Sequence, residues 1–376
     1  MSKRSRNRGS LRDEAGDETA IDRLAAALDA APLGLHDLGE PSADVPLDWP
    51  TGLGDVYFAF NGARLFNEEV VVLPIAEVAA TGDGDRRRWR VAELAGEPID
   101  VDRRGRVWRT DPQTGDEIID GTSFEKWLRG VVDALGELFD GDGEFADSVF
   151  DRDGELTAEV RRAQARAQAK RDAKAPGPRW RLARELALSG EVEAARRELE
   201  RVVEVAPEMP WAWLDLARLS ETAGELDGAY DEALQAAEAA AGHEQLAYFW
   251  AQAARLAQKR QNEADRAQAA ARALAADPQL VAAQLAGAEA NLAEGDLVSA
   301  KALVELARAV APRDLGAIDL GRRIEVAIAT APAVVAKPED LDEDDDEDLD
   351  GDVDIDAADA EADLAGEPGA RDDDAN

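Results

Sequence analysis

The chain has 376 residues, 45% of them hydrophobic, with 43 Lys and Arg against 81 Asp and Glu, a formal net charge of −38, no cysteine and two histidines. That length allows two ordered domains with tails. The missing cysteines exclude disulfides, thiolate metal sites and cysteine nucleophiles, and His36 and His243 alone are too few for most zinc sites and most His-based acid–base machinery. The charge is concentrated at one end: Pro338 to Asn376 carries 20 Asp and Glu against a single Arg, half of the total. No apolar run approaches the roughly 18 residues of a membrane span. The basic start, Met1 to Arg8, is not followed by an apolar core, so it does not read as a secretory signal. A cytoplasmic location is the expectation.

Residues 1–18 are polar and predicted to be disordered. Thr19 to Ala31 reads as an amphipathic helix, with Ile21, Leu24 and Leu28 at spacings of three and four and Thr19 as N-cap. Pro32 to Pro50 reads as loop. Leu53 to Phe60 is an apolar segment that stops at the turn signal Asn61-Gly62. Strands are predicted at Val70–Leu73, ending at Pro74, and at Trp89–Leu94. Ile99–Asp102 and Val107–Thr110 form a hairpin, with an edge strand at Asp116–Ile119 after the turn Pro112-Gln113-Thr114-Gly115. Ser123 caps a helix whose apolar face carries Phe124, Trp127, Leu128, Val131, Leu135 and Leu138. These elements define an α+β domain over 19–140, helices packed on a mainly antiparallel sheet. Residues 141–174 follow as a Gly- and Asp-rich linker and a charged helix, read as an exposed connector or a cap.

From Gly177 to Pro312 the chain consists almost wholly of helix formers and repeats itself. Gly190-Glu191 and Gly224-Glu225 lie 34 residues apart, as do Pro278 and Pro312, and Gly295-Asp296 is the same small-then-acidic turn. Trp213 and Trp250 are 37 apart, so three extra residues sit near Ala241-Gly242-His243. Two helices per 34 residues, with Gly in the inner turn and Pro after the second helix, resemble the tetratricopeptide repeat. The matching residues include Leu182-Ala183 and Leu199 in the first unit, Trp213 and Leu216-Ala217 in the second, Trp250 and Ala253-Ala254 in the third, and Ala288, Ala300 and Val304 in the fourth. The third unit departs from the pattern, with Gln261 at the turn. Leu315–Ile328 reads as the capping helix that such an array needs. The resemblance implies an all-α helical-repeat solenoid over 175–332 with about four units. Residues 333–376 are predicted to be a disordered acidic tail.

The N-terminal motifs Trp49-Pro50, Phe60-Asn61-Gly62-Ala63, Leu73-Pro74-Ile75, Gly105-Arg106-Val107-Trp108 and Ser123-Phe124-Glu125-Lys126-Trp127-Leu128 resemble the Smi1/Knr4-like (SUKH) domain. That resemblance implies a non-catalytic protein-binding fold, with toxin-immunity proteins and regulatory scaffolds among its members.

In a tetratricopeptide-like array the first helix of each pair lines the concave groove. In the second unit Trp213, Leu216, Ala217 and Ser220 are predicted to pack, leaving Trp211, Leu214, Asp215 and Arg218 on the open face. Arg184, Arg218 and Arg255 then fall in register, flanked by Arg181 and Lys259, with Glu289 at that position in the fourth unit. Arginine suits bidentate carboxylate recognition, so the groove is expected to take an acidic segment or a peptide's C-terminal carboxylate, with Trp211 as apolar anchor. The chain's own acidic tail is one such segment, tethered at high effective concentration. Asp350-x-Asp352-x-Asp354 with Glu361 has calcium-loop spacing, but Ile355 stands where that loop needs Gly. Asp151-x-Asp153-Gly154 has Val149 and Val160 in place of its first and last carboxylates. No P-loop, dinucleotide, nucleophile-elbow or zinc-protease motif is present. The sequence therefore predicts a non-catalytic interaction adaptor without cofactor or metal. It binds proteins or peptides and is expected to bind neither membrane nor nucleic acid. A SUKH-type immunity protein and an acidic, chaperone-like or anion-mimic protein are the alternatives.

Overall fold

The computed structural model describes residues 19–31, 34–50 and 52–331. The tails expected at 1–18 and 333–376, and the calcium-like spacing at Asp350, lie outside the described residues. The N-terminal part begins with α1 (Ala20–Asp29), capped reciprocally by Thr19 and Asp22, and α2 (Leu53–Ala59). An antiparallel sheet runs in the strand order β1 (His36–Leu38), β2 (Ala63–Leu65), β3 (Val70–Val72), β5 (Arg88–Leu94), β6 (Glu97–Asp102), β7 (Val107–Thr110) and β8 (Glu117–Gly121), with β4 (Ala79–Thr81) beside the start of β5. Its long members are β5, β6, β7 and β8. A bulge between Arg90 and Ala92 explains why Val91 and Ala92 are both buried. The short strands β1, β2, β3 and β4 complete the sheet. β1 runs through a stretch expected to be loop, because three residues are too few for alternation to show. Helix α3 (Phe124–Gly136), capped by Ser123, covers the core with Phe124, Trp127, Leu128 and Val131.

Helix α4 (Ala158–Arg171) has no large apolar stripe, yet it packs between α3 and the first repeat helix, burying Ala165 and Ala169. Alanine on one side and Gly130 on the other permit this: the position of a Gly130 Cβ lies 3.5 Å from the Gln168 Cα.

The repeats are four helix pairs: α5 (Pro176–Leu188) with α6 (Val192–Val205), α7 (Pro210–Thr222) with α8 (Leu226–Ala239), α9 (Leu246–Lys259) with α10 (Glu263–Ala276), and α11 (Val281–Glu294) with α12 (Leu297–Val310). Helix α13 (Leu315–Thr330) closes the array. No pair can bury its apolar stripe alone, and stacking buries it. The central core is largely alanine, from Ala229 to Ala290 around Phe249 and Trp250, which lets neighbouring helices approach closely. The open-face expectation needs one correction. Leu214 is buried, 1% exposed, as a member of the core cluster that also holds Phe249 and Trp250 of α9.

Between the two helices of a pair the chain turns through a left-handed residue: Gly190, Gly224 and Gly295 have φ between 77° and 82°. Open space surrounds all three, so the requirement for glycine is conformational and not steric. The third unit makes the same turn with Gln261 at φ 59°. Gln261→Gly is therefore expected to stabilise the protein by about 1 kcal/mol and Gly224→Ala to destabilise it by about 1 kcal/mol. Urea unfolding midpoints with unchanged slopes check both signs.

Candidate protein-binding groove

The concave side of the array does not begin empty. The β7–β8 hairpin of the sheet domain lies against the first two repeats. Its turn is closed by Asp111, whose Oδ1 accepts from the Gln113 and Thr114 amides at 3.0 Å. Ile118 of β8 belongs to the core of the first repeats, with Ala165, Ala169, Trp180 and Leu182. Asp120, 2% exposed, accepts from Trp127 Nε1 at 3.0 Å through Oδ2 and from Arg181 Nη2 at 2.6 Å through Oδ1. A Cβ on Gly177 would lie 2.7 Å from that Oδ1, so only glycine lets α5 sit this close to β8. Beside it the buried Asp172 accepts from the Thr122 amide at 2.5 Å and from its hydroxyl at 2.8 and 2.9 Å.

At the tip of the hairpin Asp116 accepts from Trp211 Nε1 at 2.6 Å and meets His243 Nε2 at 2.7 Å. His243 Nδ1 accepts from the Gln245 amide at 3.0 Å, which leaves Nε2 as the nitrogen that donates to Asp116. The three-residue insertion that breaks the repeat period thus places a histidine against the sheet domain. Arg184 donates to the Gln113 side-chain carbonyl and stands 5.0 Å over the Trp180 ring.

Three of the six groove residues expected from sequence, Arg181, Arg184 and Trp211, therefore contact the chain's own hairpin. The Trp211 ring packs 4.9 Å from that of Phe249 and holds the seam, and so is not a free anchor. The other three pair within the array. Arg218 binds Asp215 at 2.8 Å and the Tyr248 hydroxyl at 3.3 Å. Arg255 forks onto both Glu221 oxygens at 2.6 and 2.7 Å, and Lys259 joins the same carboxylate. Arg323 forks onto Glu289 at 2.5 and 3.0 Å, one repeat further on. The hydrogen bonds from Arg255, with those from Lys259, hold the Glu221 carboxyl down at about 2 against partial burial. Arg184 has no carboxylate partner among the described residues.

A cleft of about 250 Å³ opens beside it, lined by Ala183, Ala187, Leu199 and Leu219 with Arg184, Arg218 and Asp215. Leu188, also on its wall, is 78% exposed. Sequence reasoning missed Asp116, Asp120 and His243. The insertion at 241–243 was the available signal for the last of these. Among the described residues no group of three His, Asp or Glu side chains could hold a metal ion, and no helix is long and apolar enough to cross a membrane.

No family model matches the chain, and no curated protein does either. Among solved structures it is similar to Pseudomonas aeruginosa pilF, at 13% identity over 46% of this chain and 77% of that one, with a TM-score of 0.41. It is also similar to YrrB, described as a TPR protein with an unusual peptide-binding site, at 14% identity over 44% and 84%, TM-score 0.38. A third is the first TPR of Spaghetti (RPAP3) bound to an HSP90 peptide, at 19% identity over 32% and 94%, TM-score 0.30. The repeat architecture rests on the chain's own helix pairs and not on these likenesses.

Two outcomes follow from the geometry. Gly177→Ala forces α5 away from β8 and is expected to lower stability by about 1–3 kcal/mol in urea unfolding. Glu221 has its folded pKa depressed from 4.5 to about 2, so its pairing stabilises fully above about pH 4.5 and is lost as pH falls towards 2. The difference in unfolding midpoint between wild type and Glu221→Gln should hold steady near neutrality and shrink below about pH 4.5.

Proposed function

We propose that the chain is a non-catalytic interaction scaffold whose groove takes an acidic peptide segment or a peptide's C-terminal carboxylate next to an apolar side chain. The cleft between α5, α6 and α7 carries this reading. Its aliphatic floor suits one apolar side chain, and its wall carries Arg184, which has no carboxylate partner among the described residues, and Arg218, paired with Asp215, for the carboxylate beside it. Arg255 and Lys259 continue the row but are matched by Glu221, and Arg181 and Trp211 hold the seam. Of the six residues in the row, Arg184 and Arg218 are the partner contacts in this reading.

The N-terminal domain is read here as Smi1/Knr4-like, and so as a second protein-binding module. Two of the motifs behind that reading meet in space: Asn61 Oδ1, at the end of α2, accepts from the Ile75 amide at 2.8 Å, just after Leu73-Pro74. A toxin-neutralising role is the special case in which the partner is one tightly bound protein. The anion-mimic alternative rests on residues 338–376, outside the described part of the chain.

The test is fluorescence anisotropy with a peptide of Asp and Glu ending in Leu, added to the full-length chain at low salt. Binding is expected to weaken roughly tenfold for each of Arg184→Ala and Arg218→Ala. Equal binding by wild type and the double variant, or no binding by either, overturns the reading.

A further inference from the structure

The segment after α3 is built from one seven-residue pattern used twice, eleven residues apart: Phe139-Asp140-Gly141-Asp142-Gly143-Glu144-Phe145 and Phe150-Asp151-Arg152-Asp153-Gly154-Glu155-Leu156. Both copies fold alike. The first Asp of each accepts two amides through Oδ1, at 2.9 and 3.1 Å in either copy, and a bridge closes each turn, Phe139 to Phe145 and Phe150 to Leu156. The two turns therefore hold their aromatic rings in fixed places. Those rings form a ladder that starts in the core and ends in water. Phe66 is buried; Phe139 stacks on it at 5.4 Å, Phe145 on Phe139 at 4.8 Å, and Phe150 meets Phe145 edge-on at 5.1 Å. Phe145 is 52% exposed and Phe150 40%.

The charge around these rings is strongly one-sided. On the repeats several carboxylates are matched by arginines, as at Glu198, Glu221 and Glu289, and others, such as Glu193, Glu204 and Glu238, form no ion pair among the described residues. Between Asp140 and Glu155 there are seven carboxylates and one Arg, and none of the seven forms an ion pair among the described residues. Two partly exposed phenyl rings with unpaired carboxylates about them combine aromatic quadrupoles with net negative charge.

We infer that the Phe145–Phe150 patch is a docking surface for a basic protein segment in which Arg or Lys alternates with apolar residues. Guanidinium or ammonium groups stack on the rings and pair with the carboxylates, while the apolar residues cover the ring edges. An acidic segment of the kind proposed for the groove is repelled here, so the two surfaces select partners of opposite charge.

The probe is a fluorescein-labelled decapeptide of alternating Arg and Leu, titrated into the full-length chain at low and moderate salt. The variants are Phe145→Ser with Phe150→Ser, and Asp142→Asn with Asp153→Asn; Asp140 and Asp151 are left intact because they hold the turns. Residues 338–376 are present in every protein, so only differences between proteins report on the patch. The ring variant is expected to bind roughly tenfold more weakly than wild type with a similar salt slope. The Asn variant should bind a few-fold more weakly with a shallower slope. An unchanged melting midpoint shows that the fold is intact, and Phe150→Ser alone provides the same comparison if the double ring variant is destabilised. Equal affinity of wild type and ring variants reduces the interaction to general electrostatics and overturns the proposal, as does the absence of saturable binding to wild type at low salt.

Discussion

A carboxylate taken out of water must be supplied with donors, and where those donors come from determines which parts of a fold are joined. Asp120 sits at the end of the last strand, almost wholly buried, with one oxygen held by the Trp127 indole of the sheet domain and the other by Arg181 of the first repeat. Separating the two halves would leave that charge with half its partners, a loss of several kcal/mol by the general rule for broken buried pairs. Gly177 and Ile118 depend on the same contact, one by giving way to the carboxylate and the other by filling the apolar space next to it. Sheet and repeats therefore behave as one body within residues 19–330, and the groove inherits its starting point from the hairpin.

The groove's electrostatics follow from that placement. An array of first helices with arginine in register would ordinarily present a continuous basic stripe. Here the near end is met by Asp116, Asp120 and Gln113 of the chain itself, and the far end by glutamates one repeat away. What remains without a carboxylate partner among the described residues is Arg184, with Arg218, held by Asp215, across the same aliphatic cleft. A ligand that uses it is read by a few residues and not along the whole array.

Much of this was legible in the sequence wherever a period extended over many residues. The four helix pairs, their turn glycines, the odd turn at Gln261 and the Ser123 cap follow from spacing and from backbone preferences that act locally. The strands at Val70, Trp89, Ile99, Val107 and Glu117 were marked by β-branched and aromatic residues, whereas β1, β2 and β4 were too short to leave a pattern. Helix α4 left two readings open because its buried face is alanine, which counts as weakly apolar in composition yet packs closely. The seam was beyond reach for a different reason. Asp116 and His243 are 127 residues apart, and in a chain with 81 acids no single carboxylate announces its partner.

Solenoids lose structure from their ends, because an end repeat has a neighbour on one side only. In this array one end is not an end at all: α5 is clasped between α4 and β8 over a core that runs from Ile118 to Leu219. The opposite end is lightly built. Its core cluster has Ala288, Ala300, Val304, Leu320 and Ile324 as buried members, with Leu285, Leu292 and Leu303 partly buried against them, while Val298, Leu306, Val310 and Val326 are largely exposed. By that rule opening is expected to be polar, with α13 and α12 fraying first and the front advancing towards the sheet. The clasped first repeat, where the aliphatic cleft lies, is the last to go. The chain can thus breathe at its far end, in heat or under tension, while the part proposed to hold a partner keeps its shape.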